Sequence, residues 1–337
     1  MKPTRRAALA SLLAAPAGLL AAPVGLLAAP VVLLAAPALA QGAPIRIIVP
    51  FAPGGSTDAV ARLASPGLAQ RLGVPILVEN RSGAAGSLGT HAVAQARADG
   101  NTWLLTFDSH ATLPALLPNL PFNLTRDLDP VMLIGGAPYV LATRPDKPYR
   151  GLPDVITAAR ARPDGVNYGS TGNGTIGHLS MIMLGARAGV RMTHLPYRGG
   201  GLAVNDTVAG HVEMMIGSAA LLAPHIAGGT LRPIVQFGPE RLPALGDLPT
   251  AVQSGFAGME AEAWWGVFAP HGTPAAMQAR MGAALAESFR EERVHRTMTE
   301  TQQARLVLGG PDVLGPFLER QIALWGGLVR EHRVQVD

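Results

Sequence analysis

Two segments of the sequence place glycines and hydroxyl side chains directly before a helical pattern, an arrangement that suits anion binding. The first is VPFAPGGSTDAVAR at residues 49–62, whose glycines and hydroxyls are Gly54, Gly55, Ser56 and Thr57. Glycine lets the backbone approach a ligand closely, and the free N–H groups and dipole of a helix start attract a carboxylate or phosphate. Asp58, in the first turn, complements the dipole and can bond back to loop N–H groups. The segment predicts either an anion site or a plain capped helix.

The second segment, VNYGSTGNGTIGHLSMIML at residues 166–184, repeats the order of strand, glycine loop and helix. Its Gly172, Gly174 and Gly177 form the G-x-G-x-x-G pattern of a dinucleotide loop. That pattern requires an acid about twenty residues further on, whereas residues 195–198 read LPYR, in which Arg198 could face the extra phosphate of NADP. An NAD(P)-dependent enzyme therefore remains the alternative function.

Hydrolase and metal chemistry lack their usual residues. The sequence has no G-x-S-x-G elbow, no cysteine, and nine scattered histidines without an H-E-x-x-H or an i, i+4 pair. His110 and His178 are the best histidine candidates because each lies beside a hydroxyl-rich loop. Neither helix start has an evident nucleophile or base nearby. Such a pair suits reversible binding of a dicarboxylate, with one carboxylate at each helix start. The sequence predicts no enzyme, no cofactor and no metal site.

The first forty residues predict a cleavable signal peptide. Lys2, Arg5 and Arg6 precede an uncharged stretch that ends in Ala38-Leu39-Ala40, a small-x-small cleavage pattern just before Gln41. We expect export to the periplasm by the secretion or the twin-arginine route, with cleavage near Ala40. An uncleaved membrane anchor is the alternative, since the stretch exceeds the ~20 residues that span a bilayer.

The remaining composition is that of a charge-balanced globular chain. The 337 residues are 48% hydrophobic and 15% charged, and after the leader 24 basic side chains stand against 23 acidic ones. Nucleic-acid binding needs a basic stripe, which the sequence lacks. Without cysteine there is no disulfide and no thiolate metal site.

Apolar runs alternate with helical patterns from residue 45 onward, which predicts an α/β fold with mainly parallel sheets. The predicted strands are 45–49, 76–79, 102–107, 131–134, 139–142, 166–168, 192–195, 212–216, 231–237 and 263–269. The predicted helices are 57–71, 86–97, 155–162, 178–188, 274–292 and 311–329. One series of alternating strands and helices is inserted into the other. We therefore expect one lobe from residues 41–142 and 263–337, and a second from residues 143–262. Two crossing strands join the lobes, and the last helices return to the first lobe.

Nine segments in order carry a resemblance to a known family. They include the segment at 49–62, VENRSGAAGSLG (78–89), NYGSTGNGTIGHL (167–179), THLPYRGGGLAVNDTVAGHVEMM (193–215) and WWGVFAPHGTP (264–274). From residue 45 to the C-terminal helices, the chain resembles the Bug receptors, the extracytoplasmic solute-binding proteins of tripartite tricarboxylate transporters.

The resemblance implies a type II periplasmic binding protein fold, in which two lobes close over a small carboxylate. It implies a monomer that delivers this ligand to membrane transporter subunits. The loop from Phe51 to Asp58 would hold one carboxylate, flanked by Gly86, Ser87, Ser109 and His110. The opposing lobe would offer Ser170, Gly172, Asn173, Thr175 and His178, with Tyr197 and Asp206 nearby.

Overall fold

The structure is a computed structural model that describes residues 43–197 and 199–335. The predicted signal peptide at residues 1–40, its cleavage pattern and Arg198 lie outside the described residues. Within the described part, no helix combines the length and the apolar character needed to cross a membrane.

The described residues form an α/β structure. Its strands are Ile45–Val49 (β1), Ile76–Asn80 (β2), Thr102–Phe107 (β3), Leu128–Thr143 (β4), Asn167–Ser170 (β5), Thr193–Pro196 (β6), Met214–Ser218 (β7), Arg232–Gln236 (β8), Glu262–Pro270 (β9) and Arg305–Gly309 (β10). Its helices are Ser56–Leu72 (α1), Ser87–Ala94 (α2), Leu113–Leu116 (α3), Leu152–Ala161 (α4), Ile176–Ala188 (α5), Gly200–Ala209 (α6), Ala219–Ala227 (α7), Ala275–Arg290 (α8), Glu292–Arg296 (α9) and Pro311–Glu331 (α10). Short 3₁₀ turns lie at Ala84–Gly86, Asp108–Thr112 and Pro243–Leu245, and a π-helical turn at Thr297–Thr301.

One long strand joins two groups of strands. The order is β2-β1-β3-β9-β4-β7-β5-β6, with β10 and β8 also paired to β4. Residues 128–138 of β4 pair with β9, whereas residues 139–143 pair with β7 and β8. We call the strands up to residue 138 of β4, with β9, β10 and the helices and loops that connect these strands, the first half. The remaining strands, with the helices and loops between them, form the second half. The predicted lobe boundaries at 142/143 and 262/263 stay a prediction.

The carboxyl ends of both parallel sets lie beside the crossing point of β4. In the first half, Phe107 at the end of β3 pairs with Trp265, near the start of β9, and that start pairs with Pro138. In the second half, Ser218 at the end of β7 pairs with Tyr139. Ligands of open α/β sheets bind beyond the carboxyl ends of the strands, so the fold places a ligand region on both sides of Pro138 and Tyr139.

Backbone hydrogen bonds fasten this crossing point. Tyr139 N–H donates to Ala261 O at 3.1 Å, and Phe237 N–H donates to Tyr139 O at 2.8 Å. Ala261 N–H in turn donates to Phe237 O at 2.6 Å. The two chain passages between the halves, in β4 and just before β9, therefore share one hydrogen-bonded junction with Phe237.

The final helix packs against both halves. Along α10, Leu314, Leu318, Trp325 and Val329 are buried. The helix packs on β4 and α3 in the first half and on α5 in the second. Helix α8 packs on α1 and β4. The expectation that the last helices return to the first lobe stays a prediction.

The predicted α/β class is confirmed, and strands 45–49 and 102–107 match β1 and β3. The prediction of separate strands at 131–134 and 139–142 is wrong, because they are parts of the single strand β4. The intervening Gly135, Gly136 and Pro138 resemble a break in sequence, yet β9 pairs along the whole stretch. Helices α3, α6, α7 and α9 and strand β10 are additional elements that the sequence did not predict.

Candidate ligand-binding site

The loop between β1 and α1 is held from behind by an acid of the helix. Gly54, at φ 81°, donates its N–H to Asp58 Oδ2 at 3.0 Å. Asn80, at the end of β2, donates its amide to Phe51 O at 3.1 Å and to Asp58 Oδ1 at 3.0 Å. The predicted bond from Asp58 back to a loop N–H is confirmed, and Asn80 is a supporting residue that the sequence did not single out.

Asp58 is ionised, and its charge is balanced locally. Burial raises the pKa of Asp58, but hydrogen bonds from Arg62, the Gly54 N–H and Asn80 lower this pKa by more, leaving it below its usual value. Arg62 Nε lies 3.0 Å from both carboxylate oxygens. The first-turn N–H groups of α1 have no acceptor within the helix, and Gly54 and Gly55 are exposed. This end of α1 can therefore receive an anion despite the acid behind it.

The neighbouring loops lie against the same edge. The ring of Phe51 lies close to Gly86, where an added Cβ would approach it to 3.3 Å. Ser87 is buried at the start of α2. Phe51 also contacts Phe107 edge-on, with ring centroids 6.4 Å apart. The structure thus brings Gly86 and Ser87 beside the first loop, as predicted. Ser109 lies in the 3₁₀ turn that follows β3.

His110 has a packing role in the structure. Its ring lies 4.9 Å from that of Phe268, between centroids, and Phe268 belongs to the hydrophobic core. Both ring nitrogens are buried without a partner among the described residues. Burial lowers the pKa of His110 to about 3, so the ring is neutral. Its assignment as a ligand contact stays a prediction.

The loop between β5 and α5 uses its polar groups internally. Gly172 N–H donates to Ser170 Oγ at 3.2 Å, and Thr175 Oγ1 donates to Gly172 O at 2.8 Å. Gly174 N–H donates to Nδ1 of His178 at 3.1 Å. Asn173 lies within the same loop. The structure therefore brings these predicted site residues together, but they bind one another.

Two stacked imidazoles support this second loop. The rings of His178 and His194 are 3.8 Å apart and nearly parallel, and His194 Nε2 lies 2.7 Å from Ser170 Oγ. Burial lowers the pKa of His178 to about 4. Burial and the neighbouring His178 lower that of His194 to about 3. Both rings are neutral near pH 7. Sequence reasoning missed His194 because it lies inside a strand pattern.

A buried acid and a tyrosine connect the first half to the start of α5. Tyr139 Oη donates to Asp108 Oδ2 at 2.7 Å, and the Tyr139 ring lies against Gly177, where an added Cβ would come within 3.1 Å. Burial raises the pKa of Asp108 to about 7, although bonds from Tyr139 and the Ser109 N–H oppose this rise. Neither Asp108 nor Tyr139 was a sequence candidate, because each stands at the end of an apolar run.

The G-x-G-x-x-G glycines are needed for protein packing. A Cβ at Gly174 would meet Leu116 of the first half at 2.5 Å, and one at Gly177 would meet Tyr139 at 3.1 Å. Packing against Leu116 and Tyr139 thus accounts for Gly174 and Gly177 without a dinucleotide.

Tyr197 and Asp206 contact each other at the border of the second loop. Tyr197 Oη donates to Asp206 Oδ2 at 2.8 Å. The Tyr197 ring lies against Gly169 of β5, where an added Cβ would come within 3.2 Å. This pair covers the strand end, and its contact with a ligand stays a prediction. Within residues 43–197 and 199–335, no group of three or more metal-ligating side chains is placed to hold an ion.

Comparison with known proteins gives a consistent result over most of the chain. A family model described as the tripartite tricarboxylate transporter family receptor matches residues 60–332. Protein BugT of Bordetella pertussis is 34% identical over 290 residues, which cover 86% of this chain and 89% of BugT. The solved structure of the periplasmic binding protein BugD is 29% identical with a TM-score of 0.77, covering 87% and 98% of the two chains. MatC from Rhodopseudomonas palustris, solved with bound malate, is 32% identical with a TM-score of 0.76, covering 85% and 98%.

Proposed function

Because this chain belongs to the tripartite tricarboxylate transporter receptor family, we propose that its two halves hold a small carboxylate or dicarboxylate between their carboxyl edges. The observation that carries the proposal is the start of α1, where exposed glycines and first-turn N–H groups without an acceptor inside the helix stand in front of a charge-balanced acid. Helix dipole and backbone N–H groups bind a carboxylate reversibly. The malate bound in MatC supports this ligand class. We assign binding without catalysis.

The proposed contacts come from both edges, and the two halves act as the lobes. The first half supplies the loop from Phe51 to Asp58, together with Gly86, Ser87 and Ser109. The second half supplies Ser170, Gly172, Asn173, Thr175 and His178, bordered by Tyr197 and Asp206. His110 supports the turn from the core side.

We further propose that the chain is exported with residues 1–40 as its signal peptide and that a monomer delivers the ligand to membrane transporter subunits. The family description, which names a transporter receptor, supports such partners. The periplasmic binding protein BugD supports the compartment.

Ligand-dependent unfolding tests the proposal. Protein purified from the periplasm is mixed with succinate, malate and adipate, and separately with butyrate, 2-hydroxybutyrate and hexanoate. A ligand at one hundred times its dissociation constant stabilises the folded state by about 2.7 kcal/mol, so a binding acid raises the unfolding midpoint measurably. NAD and NADP serve as the comparison. A shift with NADP and with none of the acids would support the enzyme alternative instead.

A further inference from the structure

A side chain from the C-terminal part of the chain reaches the first residue of α1. Ser56 Oγ donates a hydrogen bond of 2.9 Å to Oε1 of Gln302, which lies 246 positions later. Gln302 precedes β10, whose first residue, Arg305, pairs with Gly136 near the crossing point. The Gln302 amide therefore lies on the same carboxyl edge as the proposed ligand loop.

The segment that carries Gln302 is firmly anchored. A π-helical turn, Thr297–Thr301, precedes it, and Gln302 N–H donates to Thr297 O at 3.0 Å. Ala304 N–H donates to the carbonyl of the fully buried Met298 at 2.9 Å. π-helical turns are rare and occur frequently at functional sites. The backbone thus fixes the position from which Gln302 reaches Ser56.

The adjacent Gln303 is a second unusual feature of this segment. Its φ of 51° lies in the left-handed region, which costs a non-glycine residue energy. Its side chain is 7% exposed, and Oε1 is buried with no partner among the described residues. An unpartnered buried amide oxygen is costly. The Oε1 of Gln303 is therefore a buried polar atom in this segment that no contact among the described residues explains.

The bond between Ser56 and Gln302 decides what Ser56 offers to a ligand. A hydroxyl has one proton and two acceptor lone pairs. With its proton on Gln302 Oε1, Ser56 presents only lone pairs to the cleft, and these repel a carboxylate oxygen. A half-turn of the amide places Nε2 against Ser56 Oγ, so that Nε2 donates and the hydroxyl proton is released toward the ligand.

We propose that Gln302 is a specificity-determining residue of the ligand site. In one amide orientation Ser56 donates to a carboxylate, and in the other it accepts from a ligand hydroxyl, which suits hydroxy acids as well as simple acids. This inference rests on the proposed function, because it requires the ligand to bind at the start of α1. A glutamine serves here because its amide contains both a donor and an acceptor.

Replacing Gln302→Glu tests the inference, since a carboxylate only accepts. The new charge holds the Ser56 proton and occupies the positive end of α1. We expect succinate and adipate each to lose at least tenfold in affinity by calorimetry wherever they bind the wild-type protein, and malate to lose less, because Ser56 still accepts from the malate hydroxyl. The ligand-free variant should unfold about 1–2 °C higher at pH 7, and this gain should disappear at pH 3. Gln302→Met, which frees Ser56, should lose at most about threefold.

Thr301→Glu is the matched control, because the exposed Thr301 adds the same charge one residue away without the contact to Ser56. It should change neither affinity nor the unfolding midpoint. Wild-type affinity and an unchanged midpoint in Gln302→Glu would overturn the role of Gln302 and leave the proposed function standing. Failure of all six acids named above to bind the wild-type protein would overturn the proposed function and, with it, the assignment of Gln302.

Discussion

The starts of α1 and α5 follow the same order of strand, glycine loop and helix, but they use their backbone donors differently. At α1, Asp58 takes one loop N–H from behind and is itself balanced by Arg62, while the glycines remain exposed. At α5, His178 takes the Gly174 N–H, Thr175 takes the His178 N–H, and the Tyr139 ring packs against Gly177. The first start is open to a ligand, whereas the second is occupied by protein groups.

This difference shows that a glycine loop before a helix does not by itself identify an anion site. The deciding property is whether its N–H groups already have acceptors. A carboxylate at α5 would have to displace the bond to His178 or the ring of Tyr139, whereas one at α1 would meet first-turn N–H groups that have no acceptor within the helix. The two helix starts thus contribute unequally to ligand binding. The start of α1 binds the charged group, and we call it the anchor. The start of α5 connects the two halves, and we call it the joint.

The largest expected effect comes from breaking the joint. Gly174→Ala places a Cβ 2.5 Å from Leu116 at a φ of 70°, where the alanine is strained as well as crowded. Overpacking typically costs 1–3 kcal/mol and a left-handed alanine about 1 more. We expect a loss of about 3 kcal/mol in the free energy of unfolding, measured by urea denaturation.

Gly55→Ala is the control at the open loop, since its Cβ would come no closer than 3.6 Å to Ala52 O and its φ is −78°. Its unfolding free energy should stay within about 0.5 kcal/mol of wild type. Equal costs for the two variants would contradict the contrast between a packed and an open loop.

A smaller effect is expected from Asp58→Ala at the anchor. The change removes the acceptor of the Gly54 N–H and a partner of Asn80, so the loop loses its shape. We expect carboxylate affinity to fall at least tenfold in calorimetry and stability to fall by about 2 kcal/mol. Circular dichroism checks that the fold persists. Tighter binding in this variant would mean that the charge of Asp58 repels the ligand more than its hydrogen bonds help.

The smallest effect is the acid sensitivity of the joint. The folded pKa values of His178 and His194, about 4 and 3, lie below the unfolded value of 6.5. The unfolded chain therefore binds more protons below pH 6.5, and stability falls as pH decreases from 6.5 toward 3. We expect the free energy of unfolding to decrease measurably between pH 7 and pH 5.

His194→Phe keeps a ring for stacking but cannot take up a proton, so its unfolding free energy should decline less between pH 7 and pH 5 than that of the wild type. His91→Phe is the control, because His91 stacks on Phe122 away from the joint. An identical pH dependence in wild type and His194→Phe would exclude the imidazole stack as a source of acid lability.

The sequence was informative where the signal is local. β1, the loop at 51–58 and α1 could be predicted together, because an apolar run, two glycines and a helical pattern stand next to one another. The bonds from Ser56 to Gln302 and from Tyr139 to Asp108 could not, since each joins residues that only the folded sheet brings together. A helix at Gly200–Ala209 was concealed because it begins in three successive glycines.

The position of α10 makes this helix a suitable site for a probe of the motion between the two halves. Helix α10 packs on α3 and α5. A hinge rotation of one half against the other must therefore shift or bend this helix. Because the chain contains no cysteine, one introduced thiol on the exposed side of α10 could carry a fluorescent dye without competing labels. The amplitude and speed of opening would then be recorded as an optical signal from outside the cleft, whatever solute the receptor carries.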